Sequence, residues 1–291
     1  MSALSRLSRT DRVLACAMRR FTLFIAAAAL LAAAAPAAAQ NAPAPKPIVT
    51  TIDTVPMAEL YDGGGGLPYL GSSTSYNAGD WENALRTYHD SGVYLTQVAQ
   101  IDTLAQHALD KGYRHYRLKY RKARAAVKRD HGGHGGGHGG HMPRKPALVL
   151  DIDETALSNY SAINADNFTF GPNSQAEATK EIGVAIPSTL ALYKDAIARG
   201  VAVFFITGRG EATRDHTEHN LKTQGFDKFS AVVLKPAGTT LSTVAYKSGA
   251  RADIEKQGYQ IVANVGDQYS DLAGGHADAA YKLANPFYFL P

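Results

Sequence analysis

From Pro146 onward the chain repeats one cadence: a helical pattern, a glycine, then a short apolar run. Leu190, Tyr193 and Ile197 share a helix face that Pro187 opens and Gly200 closes, and the apolar run Val201–Ile206 follows. A second pattern, about Glu211 to Gln224, stops at Gly225 before Ala231–Leu234. A third, about Val244 to Gln257, stops at Gly258 before Tyr259–Val265. Ala147–Leu150 heads the series and a short run near Ala280–Leu283 ends it. Runs that are apolar at every position belong to strands covered on both faces, and the intervening helices supply the cover. The spacing predicts an α/β fold built on a doubly wound parallel sheet.

Open parallel sheets place their chemistry at the carboxyl ends of the strands. Here the first strand runs into Asp151-Ile152-Asp153-Glu154-Thr155, and the second into Thr207-Gly208-Arg209. Lys247 opens the helix before the fourth strand, which ends at Gly266-Asp267. If the strands are parallel, these groups converge on one crevice. Phosphoryl transfer has a use for each. A carboxylate can attack phosphorus and hold it covalently. A second carboxyl can protonate the leaving alcohol and then deprotonate water. A hydroxyl and an ammonium can grip the equatorial oxygens. Carboxylates this close to a phosphate dianion require a hard cation with oxygen ligands, for which Mg2+ is suited.

Asp151-Ile152-Asp153-Glu154-Thr155, Ile206-Thr207-Gly208-Arg209, Tyr246-Lys247-Ser248 and Gly266-Asp267-Gln268-Tyr269-Ser270-Asp271 resemble the four motifs of the haloacid dehalogenase (HAD) superfamily. More narrowly they resemble its acid phosphatase subfamily IIIB, with bacterial exported acid phosphatases and plant vegetative storage proteins. Arg214-Asp215-His216-Thr217-Glu218-His219-Asn220-Leu221, Gly258-Tyr259-Gln260-Ile261 and Leu283-Ala284-Asn285-Pro286-Phe287-Tyr288 extend the likeness over about residues 146–291. The resemblance implies a HAD-like Rossmannoid core with a small cap inserted at about residues 158–186. It implies Asp151 as nucleophile and Mg2+ ligand, and Asp153 as general acid/base that lends its backbone carbonyl to the metal. Thr207, Gly208 and Lys247 would bind the phosphoryl group; Asp267 would ligate Mg2+, as would Asp271, directly or through water.

The implied activity is Mg2+-dependent, acidic-optimum hydrolysis of small phosphate monoesters through an aspartyl phosphate. A phosphotransferase with the same chemistry stays open, as does a non-catalytic storage or binding protein on this fold. Some storage relatives lack the nucleophilic aspartate, which this chain keeps. In the cap, Tyr160, Phe168 and Phe170 either line the leaving-group pocket or pack the cap onto the core.

The N-terminal residues read as an export signal. Arg19 and Arg20 precede an apolar run from Phe21 to about Ala35, and Pro36-Ala37-Ala38-Ala39-Gln40 suits cleavage after Ala39. The run is short for a membrane span, and Met18 is a plausible alternative start. Cys16, the sole cysteine, has no apolar stretch before it as lipidation would require. Removing residues 1–39 lowers Lys+Arg from 30 to 25 and Asp+Glu from 26 to 25, so the net charge of +4 belongs to the signal. The neutral remainder gives no support to a nucleic-acid or anionic-membrane partner. The expected protein is periplasmic or secreted, free of thiols, without a stable membrane anchor, and open to homo-oligomer formation.

Residues 40–80 read as linker and irregular segment, with little regular structure expected from Thr50 to Ala78. Residues 81–130 read as a helical extension: Asp80 caps a helix at Trp81, and a long helix covers roughly Gly92 to Arg129 with a break near Gly112. Its basic run, Arg114, Arg117, Lys119, Arg121, Lys122 and Arg124, reads as a solvated face. Residues 131–145 form a His/Gly-rich loop, where His131, His134, His138 and His141 could bind transition metals loosely. Glycine leaves those ligands unorganised, so a metal-scavenging role ranks below a flexible insertion.

Overall fold

The computed structural model describes residues 78–130 and 141–290, with short strand segments at 47–48, 51–52, 55–56 and 59–62. The described residues all belong to one compact unit within Ala44–Pro291. The export signal, Cys16 and the tract through His131, His134 and His138 lie outside the described residues.

Strands β1 (Pro47–Ile48), β2 (Thr51–Ile52), β3 (Val55–Pro56) and β4 (Glu59–Asp62) precede helices α1 (Ala78–Asp90) and α2 (Val93–Asp130). The core follows with β5 (Lys145–Leu150), then the cap elements β6 (Leu157–Ser158), α3 (Tyr160–Ala165), α4 (Pro172–Lys180) and β7 (Val184–Ala185). It continues with α5 (Pro187–Arg199), β8 (Ala202–Gly210), α6 (Arg214–Thr223), β9 (Ala231–Lys235), α7 (Thr243–Lys256), β10 (Tyr259–Gly266), α8 (Tyr269–Leu272) and β11 (Ala279–Lys282).

One seven-stranded sheet runs β1-β4-β11-β10-β5-β8-β9. Every pairing in it is parallel except β1 with β4. Alternation along β5 shows why its run is wholly apolar. Ala147 and Val149 pack on one face with Phe204 and Ile206, while Leu148 and Leu150 pack on the other with Val203 and Phe205. Pro187 at the first turn of α5 and Gly200 in the left-handed region at its end (φ 73°) punctuate that helix as the sequence predicts.

The N-terminal part departs from expectation in three ways. Residues 59–62, expected to be irregular, form β4 and pair in parallel with β11. Without that addition β11 would present an open edge of unpaired backbone groups. Asp80 lies inside the first turn of α1 rather than capping it, where its charge still complements the helix dipole. Helix α2 runs unbroken through Gly112. A Cβ at that position would meet Val262 Cγ1 of β10 at 2.6 Å, so the glycine lets the helix lie close against the sheet. Upstream of it Tyr94, Val98, Ile101, Ala105 and Leu109 form one fully buried stripe. Downstream the basic run is exposed, as a solvated face should be.

Candidate active site

The parallel sheet brings the polar ends of its central strands together. Asp151 follows β5 directly, and its N–H donates to Val265 O of β10 at 2.9 Å, beside the strand end that carries Asp267. Ser242 caps α7 by accepting the Ala245 N–H at 3.2 Å, which fixes the helix start five residues before Lys247. Lys247 Nζ then donates to Asp151 Oδ1 at 2.5 Å and to Asp271 Oδ1 at 2.6 Å. Asp151, Asp267 and Asp271 each place one carboxylate oxygen within 4.8 Å of the others. All four groups are buried.

This crowding sets the electrostatics. Burial pushes Asp151 well above the usual carboxylate range; Lys247 opposes that, and Asp271 and Asp267 reinforce it. Asp267 is pushed up to about 6 by burial and by Asp271, against the hydrogen bonds from Asn285 and Gln268. For Lys247, burial favours the neutral amine, but the charges of Asp151 and Asp271 outweigh it and hold the ammonium. Lys247 pairs with two of these three buried carboxyls and leaves Asp267 without an ion pair among the described residues, an excess of negative character that a hard divalent ion would neutralise. By donor type and spacing the trio fits such an ion.

A second layer of contacts holds the trio in place. Asn285 Nδ2 and Gln268 Nε2 donate to Asp267 Oδ2 at 2.6 and 2.7 Å, and Thr155 Oγ1 donates to Asp267 Oδ1 at 3.3 Å. The fully buried Arg251 donates to the carbonyls of Asp271 (2.6 Å) and Gly275 (2.8 Å), pinning α8, which carries Asp271, and the turn after it. Gly266 must lack a side chain, since a Cβ there would sit 2.5 Å from Asp271 Cβ.

Asp153 faces a different partner. Its Oδ1 accepts from Arg209 Nη2 at 2.6 Å and from Asn159 Nδ2 at 2.8 Å. Burial works against its charge, but the Arg209 guanidinium and the Asn159 amide overcome this and draw its carboxyl below the usual range. Its side chain therefore stays out of the carboxylate trio. Glu154 (φ 51°) turns the chain sharply and buries its own carboxyl, which accepts from Asn159 N at 2.6 Å and Tyr288 Oη at 3.0 Å. Burial raises it well above its ordinary value. Thr207 is fully buried within β8, three residues before its end, its Oγ1 accepting the Arg209 N–H at 3.1 Å.

A cavity of about 550 Å³ opens over these groups, lined by Asp151, Asp153, Gly208, Arg209, Lys247, Asp267 and Asp271. The cap adds Phe170, Ser174, Gln175 and Glu177, β9 adds Lys235, and the C-terminal segment adds Tyr288 and Leu290. Of the sequence-predicted site residues, Thr207 alone stands behind the lining rather than in it. The three cap aromatics part company. Phe170 lines the cavity and is 80% exposed. Tyr160 stacks on His89 of α1 with ring centres 3.4 Å apart, and Phe168 stacks on Phe287 at 6.0 Å, so both pack the cap against its neighbours.

Sequence reasoning quoted Arg209 and Asn285 within motifs without giving them partners, and it passed over Asn159, Glu177, Lys235 and Arg251. Their contacts span long sequence separations or come from the cap, where no local pattern marks them.

A family model described as HAD superfamily, subfamily IIIB (acid phosphatase), matches residues 87–291. The match begins inside α1, so it takes in the helical extension that the motifs alone left outside. "Vegetative storage protein 1" of Arabidopsis thaliana is 34% identical over 148 residues, 49% of this chain and 55% of that protein. "Acid phosphatase 1" of Solanum lycopersicum is 34% identical over 150 residues, 49% of this chain and 58% of that protein. The chain thus spans a little over half the length of these curated relatives. Among solved structures, the class C acid phosphatase from Bacillus anthracis with tungstate bound aligns at 19% identity and a TM-score of 0.45, covering 70% of this chain and 83% of that one.

Proposed function

The chain belongs to the HAD superfamily, subfamily IIIB (acid phosphatase), and on that premise we propose that it is an exported, Mg2+-dependent phosphatase that hydrolyses small phosphate monoesters. The observation that carries this reading is the meeting of Asp151, Lys247, Asp267 and Asp271 beneath one cavity. Export rests on the apolar run after Arg19 and Arg20 and the small-residue pattern ending at Ala39. Among the described residues no helix is long and apolar enough to cross a membrane.

The residues divide the work as follows. Asp151 attacks phosphorus, an Asp151–phosphorus bond forms, and the bond to the leaving oxygen breaks. Asp153 gives that oxygen its proton, then takes one from the water that attacks the aspartyl phosphate, releasing phosphate and restoring Asp151. Lys247 and the Gly208 backbone stabilise the phosphoryl oxygens, with Thr207 shaping the loop behind them. Asp151, Asp267 and Asp271 would hold Mg2+, which supplies charge neutralisation for the phosphate dianion. The Arg209 contact keeps Asp153 in its base form, so before donation the guanidinium must turn toward the incoming phosphate and the freed carboxylate must take up a proton from water or from the incoming monoester. For that reason the geometry lends the acidic optimum no support of its own.

A storage role is the reading that the likeness to Vegetative storage protein 1 favours, and the presence of both Asp151 and Asp153 speaks against it. One experiment separates them: hydrolysis of p-nitrophenyl phosphate by the parent and Asp151→Asn proteins, each with Mg2+ and with excess EDTA. The parent should turn over with Mg2+ and stop in EDTA, while Asp151→Asn should lose at least about a thousandfold. Undiminished activity of Asp151→Asn would rule out the nucleophile, and activity persisting in EDTA would rule out the metal.

A further inference from the structure

The cavity contains three cations, and two are spent within the protein. Lys247 is paired with Asp151 and Asp271, and Arg209 with Asp153. The third, Lys235, has no carboxylate within ion-pair distance among the described residues, although it lines the same cavity and is only partly exposed. A cation left unpaired at the wall of a phosphate-ester pocket invites an anion.

Its place in the sheet says which part of a substrate it meets. In the order β5-β8-β9, Lys235 ends the strand two places from the one that carries Asp151. Neighbouring strands lie about 4.8 Å apart, which sets β9 about 10 Å to one side of the nucleophile. Lys235 is level with Gly210, three residues beyond Thr207, so it stands on the outer rim. It shares the sheet face of Ala231 and Val233, the face covered by α7, which also brings Thr243 to the cavity. An ester whose phosphorus lies over Asp151 therefore presents its leaving group, not its reacting phosphate, to Lys235.

Resting on the phosphatase reading above, we propose that Lys235 is a specificity residue that selects phosphate monoesters whose leaving group carries a second oxyanion, a carboxylate or another phosphate. A neutral leaving group filling the cavity would cover the ammonium without pairing it, and that uncompensated charge counts against such substrates. The cap contributes Phe170, Ser174, Gln175 and Glu177 to the lining and no cation, which leaves the β9 side as the one that offers an unpaired positive charge.

The test compares kcat/KM for phenyl phosphate, 4-carboxyphenyl phosphate and 4-(phosphonomethyl)phenyl phosphate in the parent, Lys235→Met and Lys235→Arg proteins with Mg2+. The parent should prefer one or both charged esters by about tenfold, chiefly through KM, and whichever is preferred identifies the oxyanion. Lys235→Met should erase the preference, Lys235→Arg should keep it, and added salt should weaken it. A parent that hydrolyses phenyl phosphate without charge preference overturns the inference alone. So does a Lys235→Met protein that loses equally on all three esters, since that marks a structural role. Failure of the parent to hydrolyse any of them overturns the phosphatase reading as well.

Discussion

At the strand tips Asp151 and Asp271 share the ammonium of Lys247, whereas at the seam between α2 and α5 the equally buried Asp102 meets only hydroxyls. Asp102 Oδ2 accepts from Thr189 Oγ1 at 2.9 Å, and its Oδ1 has no hydrogen-bond partner among the described residues. Burial raises the carboxyl in both places, to about 6 for Asp102. What differs is the compensation. A cation at the tips keeps charge in the interior for use, while the seam leaves a carboxyl that ionises only at a cost to the fold.

Removing the cation is the strongest way to break this contrast. Lys247→Met leaves the carboxyls at the tips without a counter-charge, and chelator-treated protein should lose about 3–5 kcal/mol in a urea titration near neutral pH. Unchanged stability would mean that those carboxyls are already neutral in the parent, as Asp102 is at low pH.

The next effect sits at the seam and depends on pH. The folded-state value of Asp102, about 6, lies above its ordinary 3.8. Its contribution to stability is therefore fully present below about pH 4 and lost as pH rises through about 6. Asp102→Asn has no such loss and should exceed the parent by about 2 kcal/mol at pH 7 while matching it more closely at pH 4. Parallel stability curves for the two proteins from pH 4 to 7 would show that Asp102 does not titrate in this window. Smallest is Thr189→Val, which removes the hydroxyl bonded to Asp102 Oδ2. It should cost about 1 kcal/mol at pH 7 and less at pH 4, read by the same titration.

The core strands were legible because each is a local run with its own stop signal, and the topology of parallel sheets carried their tips to one end. The convergence of Asp151, Lys247 and Asp267 was legible for the same reason, whereas Asp271, inside α8, came only from the resemblance. Asp153 was found, but its pairing with Arg209 was not, because the two lie 56 residues apart and only the folded crevice joins them. Gly112 misled outright. Glycine costs an isolated helix about 1 kcal/mol, which reads as a break, whereas its missing side chain is what lets α2 approach Val262. Strand β4 was invisible since a four-residue strand added to an existing edge needs no periodicity of its own.

The C-terminal stretch is sewn into the pocket. Asn285 holds Asp267, Tyr288 holds Glu154, and Leu290 N–H donates to Gln268 Oε1 at 3.1 Å. Synthesis proceeds from the other end, so Asp151 emerges from the ribosome long before these fasteners do. A nascent chain can assemble most of its sheet yet still hold a half-made pocket until residues 285–290 close it.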